Sequence, residues 1–456
     1  MTDFTEFDRY VESHVDLYLD RLKEILRIPS VAAQGTGLQE AADWVTHMAQ
    51  EIGLQARQIA VEDSAPFVVA QGGEGERGLM IYNHYDVQPP DPLDEWKSPP
   101  FEPAIRDGHI YARGVADNKG NLVARLCAVE AYQQVIGPLP VRVQFIVEGE
   151  EEIGSKHIEA FAHAHSDLFQ GMDGCLWEAG YRDESGRPVI SLGLRGILAV
   201  ELRARTANID AHSGNGSLYP NAAWRLVEAL STLRTPDGEI TIDGFMDYVR
   251  PPTPADLELL ARIPYPDEQI RERLGIKSFL GGVTGQDALR QLLFRPSCTI
   301  NGIWGGYTGP GTKTVIPKEA TAKLDMRLIP DLTPDLAYEL LCAHLKRRGF
   351  DDVEVVRAEV GEMPARTPPD SPFVAIAAKV VKEVAQAEPI IFPFMAGSGP
   401  MYPLCQAFGI PAASFGVGHA ASQVHAPNEN IRIEHFVDGI KMIGRFIAAM
   451  AELPKA

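Results

Sequence analysis

Residues 80–89 read MIYNHYDVQP, an apolar strand pattern that ends in a histidine and an aspartate two residues apart. Working outward, the upstream stretch FDRYVESHVDLYLDRLKEILRIPSV (residues 7–31) carries apolar residues at helical spacing and stops at Pro29. It predicts one amphipathic helix. Downstream, NKGNLVARLCAVEAYQQVIG (118–137) places Leu122, Leu126 and Val129 on one helical face, and VRVQFIVEG (141–149) alternates Val141, Val143, Phe145 and Val147 on one strand face. Strand, helix, strand in this order predicts an α/β fold: a mostly parallel sheet with helices on both faces.

From about Leu194 the pattern changes. GILAVELRAR is a strand, YPNAAWRLVEALSTL a helix, CTINGIWGG and ATAKLDMRLIP strands, DLAYELLCAHLKRRG a helix and VEVVRAEV a strand. This βαββαβ order is that of a ferredoxin-like α+β domain. A Pro- and acid-rich insertion with short helices (235–275) interrupts it, and EMPARTPPDSP reads as a linker back to the first pattern. The expected organisation is a first domain in two segments, 1–193 and 366–456, with a smaller domain, 194–365, inserted between them.

A chain of 456 residues exceeds one ordinary hydrophobic core, which agrees with two domains. The formal net charge of -20 repels phosphates and anionic lipid, so neither nucleic acid nor a membrane surface is an expected partner. No run of about 18 apolar residues appears, and the acidic, amphipathic start does not resemble a signal peptide. The five cysteines are scattered, without CxxC spacing, and read as reduced core residues. A soluble, cytoplasmic protein is expected.

Five places put ionisable side chains where a parallel strand should end, the edge at which α/β sheets bind ligands. They are His84 with Asp86; Asp117 in RGVADNKG; Glu150, Glu151 and Glu152 in VEGEEEIGS; Glu178 in CLWEAG; and His425 in VHAPNEN. Singly, each has an ordinary structural reading as a turn, a helix cap or a solvated loop. Together, carboxylates at one edge repel one another unless cations sit between them. A His/Asp/Glu set without thiolates suits zinc first, then manganese or cobalt, and two such metals need one bridging carboxylate.

HYDVQP, RGVADNKG, EEEIGS and HAPNE, in that order and over nearly the whole chain, resemble the co-catalytic zinc metallopeptidases that include carnosinases, aminoacylase, succinyl-diaminopimelate desuccinylase, acetylornithine deacetylase and glutamate carboxypeptidase. The resemblance implies two divalent metal ions per subunit, one held by His84, Asp117 and Glu178, the other by Asp117, Glu152 and His425, with Asp117 bridging. Asp86 is implied to accept the other ring N–H of His84 and fix its tautomer. The family pattern places the general base directly before the metal-binding glutamate, hence Glu151, which leaves Glu150 without a required role.

The inserted domain is implied to be a lid and dimerisation domain. DAHSG matches a lid histidine, His212, that in dimeric members reaches the partner's site and polarises the scissile carbonyl. KTVIP and MRLIP match lid segments whose Thr314 and Arg327 meet substrate, an arginine fork suiting a substrate carboxylate. Near the C-terminus, PFMAGSGPMYP keeps Gly397 and Ser398 as substrate-binding candidates but has Phe394 and Met395 where carnosinase-like members carry a charged pair. HYDVQP with DEWKSPPFEP resembles the dipeptidase branch. The expected activity is hydrolysis of the amide bond of a dipeptide or similar small peptide by a homodimer using a metal-activated water. The alternatives are an N-acyl amino acid deacylase and, from another class, a non-catalytic binding protein on the same fold.

Overall fold

In a computed structural model that describes residues 3–454, apart from the side chains at 359 and 360, the opening strand spans Gly78–His84 and is buried along its whole length. It lies between Arg142–Glu148 and Gly174–Trp177, parallel to both, and Ala412–Ser414 continues the parallel run beyond Gly174–Trp177. Antiparallel pairing enters further out. Phe67–Gly72 runs against Arg142–Glu148, and Gln55–Ile59 folds back on it through a short connection. On the other side Val189–Ser191 meets Ala412–Ser414 antiparallel and carries Ile390–Phe392. The eight strands thus form one mixed sheet with a parallel centre.

The helix Lys119–Val135 is buried on nearly every face rather than on the single stripe the sequence predicts. It packs against the strand Gly78–His84 and also against the helices Val15–Leu26 and Ile433–Met450, so only its last turns, at Glu130, Gln133 and Gln134, reach water. The predicted N-terminal helix is two helices, Thr5–Ser13 and Val15–Leu26. At the break, Ser13 Oγ donates to the Tyr10 carbonyl at 2.9 Å and His14 Nδ1 lies 2.8 Å from the same oxygen. Local side-chain bonds compete there with the helical ladder.

By contact the chain divides into two units. The first comprises the chain through Gly193, Arg366–Phe394 and the chain from Pro400; the second comprises Leu194–Ala365 with Met395–Gly399. The second unit has a four-stranded sheet in the order Ser297–Gly305, Glu319–Leu328, Gly196–Arg205, Val353–Glu362, every neighbouring pair antiparallel. With helices Ala222–Ser231 and Pro334–Arg347 this is the ferredoxin-like arrangement. Leu198, Leu202, Leu226, Leu324, Met326 and Leu341 belong to its buried core. The predicted insertion holds two short helices, Pro254–Leu260 and Asp267–Leu274, and a third, Gly285–Phe294, follows it before the strand Ser297–Gly305. Among the described residues no helix is long and apolar enough to cross a membrane.

Candidate active site

Three adjacent parallel strands of the first unit deliver most of the site. His84 ends Gly78–His84 and is in register with Glu148, which ends the neighbouring strand; the turn after Glu148 carries Glu151 and Glu152. Glu178 directly follows Gly174–Trp177. Asp117 precedes the buried helix that starts at Lys119, and His425 lies on a loop before the strand Asn430–Arg432. His425 holds φ at +62°, a left-handed conformation that costs a non-glycine residue energy and so persists where its surroundings impose it.

These residues converge. His84 Nε2 lies 3.1 Å from Asp117 Oδ1, 3.6 Å from Glu178 Oε2 and 3.9 Å from Glu151 Oε2. His425 Nε2 lies 3.2 Å from Asp117 Oδ2 and 3.1 Å from Glu152 Oε2. The two oxygens of Asp117 therefore face two different histidines. Behind His84, Nδ1 is 3.3 Å from Asp86 Oδ1 and 3.1 Å from the Asp86 carbonyl, so Nδ1 carries the proton and Nε2 is turned to the carboxylates. Asp86 also accepts the backbone N–H of Glu151 at 3.3 Å and of Glu152 at 3.0 Å. One buried carboxylate thus ties the histidine to the glutamate turn.

The electrostatics follow from crowding and burial. Burial pushes Glu178 up to about 7, with the charges of Asp117 and Glu152 acting in the same direction and His84 against it. Burial, reinforced by Glu178, holds Glu151 well above the usual carboxylate range. Asp117 goes the other way: burial would raise it, but hydrogen bonds from His425 and His84 outweigh that and hold it below. His425 is pushed up to about 10, chiefly by its bonds to Asp117 and Glu152. The contacts of His84 and His425 with these carboxylates thus act against their mutual repulsion.

The donor set fits divalent cations. Glu178 Oε2 is buried with no hydrogen-bond partner, and two groupings, His84/Asp117/Glu152 and His84/Glu151/Glu178, each bring their donor atoms within 4.8 Å of one another. Imidazole nitrogen and carboxylate oxygen without thiolate is the chemistry of zinc, manganese or cobalt sites.

The second unit brings its own candidates together in pairs. His212 and Val315 are opposed in a short antiparallel ladder, and Thr314 Oγ1 lies 3.4 Å from His212 Nε2. His212 Nδ1 accepts the Gly214 N–H at 3.0 Å, so a neutral ring carries its proton on Nε2 and presents a donor there. Arg327 Nη1 donates to Ser398 Oγ at 2.8 Å, and the Gly397 carbonyl accepts the Arg195 N–H at 3.0 Å. In the first unit, Phe394 is buried with the Arg366 guanidinium 4.9 Å over its ring.

The sequence matches the model described as peptidase family M20/M25/M40 over residues 80–449. The chain belongs to that family. A solved M20 metallo-carboxypeptidase from Sulfolobus solfataricus is 36% identical with a TM-score of 0.88, over 96% of this chain and 99% of that one. The Beta-Ala-His dipeptidase of Homo sapiens is 28% identical over 98% of this chain and 92% of its own length. A Cys-Gly metallodipeptidase from Schizosaccharomyces pombe is 30% identical over 74% of each.

Several residues that shape this M20 site were missed by sequence reasoning. Glu429 is buried and accepts Arg113 Nη1 and the Gly114 N–H on Oε2, each at 2.8 Å, and the N–H groups of Ala116 at 2.8 Å and Asp117 at 3.0 Å on Oε1. Arg125, on the buried helix, donates to the carbonyls of Tyr82 and Trp177 and so joins the strands that end at His84 and Trp177. Asn118 Nδ2 donates to the Glu178 carbonyl at 2.8 Å, and Gln88 Nε2 donates to Glu152 Oε2 at 2.8 Å. Gln88, Asn118 and Glu429 stand inside the motifs the sequence singles out, which is the signal that was there to use. Glu150 is also anchored: its Oε2 is 2.6 Å from His157 Nδ1, and its Oε1 accepts the Ala65 N–H at 3.2 Å.

Proposed function

We propose that this M20 chain is a metal-dependent hydrolase that cleaves the amide bond of dipeptides or similar small peptides. The observation that carries the reading is Asp117, whose two carboxylate oxygens face His84 and His425 at 3.1 and 3.2 Å, with Glu178 Oε2, which has no hydrogen-bond partner, and Glu151 Oε2 at 3.6 and 3.9 Å from the same His84 nitrogen. His84, Asp117 and Glu178 would hold one divalent ion and Asp117, Glu152 and His425 a second, zinc first by donor chemistry and manganese or cobalt next. When bound, such a pair polarises a carbonyl and lowers the pKa of water.

The chain's own residues do the rest. Asp86 keeps the His84 ring proton on Nδ1. Glu151 takes the proton of the attacking water on its carboxylate and passes it to the leaving amine nitrogen. His212 offers Nε2–H to the scissile carbonyl oxygen as charge builds there, and Thr314 stands beside it. Arg327, held by Ser398, receives the free carboxylate of the substrate, with Gly397 leaving open space next to it.

A homodimer through the second unit is part of this reading. Its edge strand Ser297–Gly305 exposes Ile300, Ile303 and Trp304, and the helix Ala222–Ser231 exposes Trp224. Open edges and exposed apolar side chains favour association with another copy. The five unpaired thiols support a reducing, cytoplasmic setting.

The similarity to a metallo-carboxypeptidase favours a second reading, removal of C-terminal residues from longer peptides. One experiment tests both. Chelator-stripped protein is titrated with zinc, manganese or cobalt and assayed on dipeptides, tetrapeptides and N-acyl amino acids. Activity on dipeptides, appearing as about two metal equivalents bind, is expected; Glu151→Gln should keep both equivalents and lose roughly 10²- to 10⁴-fold in turnover. Cleavage of tetrapeptides alone would shift the reading to the carboxypeptidase, and full activity at one equivalent would remove the bridged pair.

A further inference from the structure

The turn that carries Glu151 and Glu152 is held from two sides. On one side Asp86 accepts the N–H groups of both residues. On the other, the residue just before them, Glu150, sends its side chain inward, where His157 Nδ1 meets Oε2 at 2.6 Å and the Ala65 N–H meets Oε1 at 3.2 Å. The Glu150 carbonyl also accepts the N–H groups of Ile153 and Ser155, closing the turn on itself.

We propose that His157 is a positioning residue for the hydrolytic reaction: by fixing Glu150 it sets the backbone from which Glu151 and Glu152 project. The inference rests on the roles proposed above for those two glutamates. Glu150 and His157 side chains are only 10% and 15% exposed, so this is a largely desolvated, charge-assisted hydrogen bond. Without it the Glu150 carboxylate keeps one N–H donor and must either stay buried and under-satisfied or swing toward water. Swinging out turns the residue immediately before the base and carries Glu151 and Glu152 with it, while Asp86 resists at their N–H groups. A displacement of well under an ångström in a base or ligand is costly because proton transfer and metal binding both depend on fixed geometry.

The other ring nitrogen has a different environment. His157 Nε2 is 3.2 Å from Asp63 Oδ1 and 3.9 Å from Glu62 Oε2, both on exposed side chains. This asymmetry supplies the test. Asparagine places an amide donor near the position of Nδ1, facing Glu150; glutamine places one near Nε2, facing Asp63. If the Glu150 contact is what matters, His157→Asn should hold kcat within about threefold of the native enzyme. His157→Gln should lower kcat roughly 10- to 100-fold with KM little changed, and a zinc-chelator competition should show weaker zinc binding by a similar factor.

Equal losses in the two variants, a larger loss in Asn than in Gln, or native kcat and zinc affinity in both would each overturn the proposal. If the Gln variant does not fold, His157→Ala takes its place, and failure of both to fold makes His157 a stability residue and likewise ends the proposal. Glu151→Gln run alongside separates the two levels: if that variant turns over like the native enzyme, the underlying assignment of the base fails, whatever His157 does.

Discussion

Glu429→Gln is the substitution whose cost the structure fixes most directly. The native carboxylate serves four donors, Arg113 Nη1 and the Gly114 N–H on one oxygen and the Ala116 and Asp117 N–H groups on the other, at 2.8 to 3.0 Å. Glutamine has one carbonyl oxygen, and its amide nitrogen must face two of those donors. If the oxygen stays with Arg113 and Gly114, the Ala116 and Asp117 N–H groups lose their acceptor, at about 1–3 kcal/mol each. If it turns to them, Arg113 and the Gly114 N–H face an amide NH2 instead, and in either arrangement the neutral amide removes the counterion of the buried Arg113, about 3–5 kcal/mol. Either way the loss is on the order of 4 kcal/mol or more, which at about 1–2 °C per kcal/mol for a unit of this size lowers Tm by roughly 4–8 °C.

The first arrangement also frees the backbone of Asp117, the residue that faces both histidines. Zinc affinity should therefore fall by roughly 10- to 100-fold in a chelator competition, the usual worth of a partner that orients a ligand. The assay is a thermal melt of stripped and zinc-loaded protein beside that competition. A variant with Tm within about 2 °C of native and unchanged zinc affinity would refute the clamp.

Two further outcomes are expected. In stripped protein, Glu178 held up at about 7 and His425 held up at about 10 both have folded pKa values above their ordinary ones, so their stabilisation is present at low pH and is lost as pH rises, through about 7 for Glu178 and about 10 for His425; stripped protein should lose Tm from pH 6 to 10, whereas metal-loaded protein, whose ligands must be deprotonated, should lose it on acidification, and parallel curves would contradict this. His212→Ala should lower kcat roughly 10²- to 10³-fold, more than it raises KM, by removing the Nε2–H donor; mixed with Glu151→Gln under confirmed subunit exchange it should regain activity, and a mixture that stays inactive would place His212 in its own chain's chemistry or in none.

The parts of the site that could be read from the sequence are those where residue type and position coincide. A histidine or carboxylate at the end of an apolar strand is conspicuous because strand ends point side chains at a ligand edge, and this holds for His84, Glu151, Glu152 and Glu178. The order of strands and helices in the second unit was equally legible, since periods of 2 and 3.6 alternate cleanly there. The turn of helix at His14 was not, because the competing bonds to the Tyr10 carbonyl come from side chains that also suit a continuous helix. Nor was the environment of the helix after Asp117: a stripe of Leu122, Leu126 and Val129 says one face is buried, while Arg125 and Lys119 are as buried as they are. Lys119 Nζ donates to the carbonyls of Ile25 and Ile28, at the end of a helix nearly a hundred residues upstream. Such contacts have no local signature.

The same distinction explains how a cluster of like charges is kept in place. Each carboxylate of the site is presented by a short loop, and short loops at a sheet edge are where backbones move most easily. Two buried carboxylates that are not themselves placed as ligands counter this by joining segments far apart in the chain. Asp86 binds the ring of His84 and the N–H groups of Glu151 and Glu152, which fastens the first strand end to the second. Glu429, four residues beyond His425, binds the N–H of Asp117, which fastens the loop of the second histidine to the loop of the shared aspartate. Asp117 then meets both histidines, so the two halves close on each other. In a closed network of this kind a displaced ligand cannot relax alone, because each neighbour is held by a second segment. The geometry therefore couples the two candidate metal positions through Asp117 and makes the backbone holding them, rather than any one ligand, the element on which both depend.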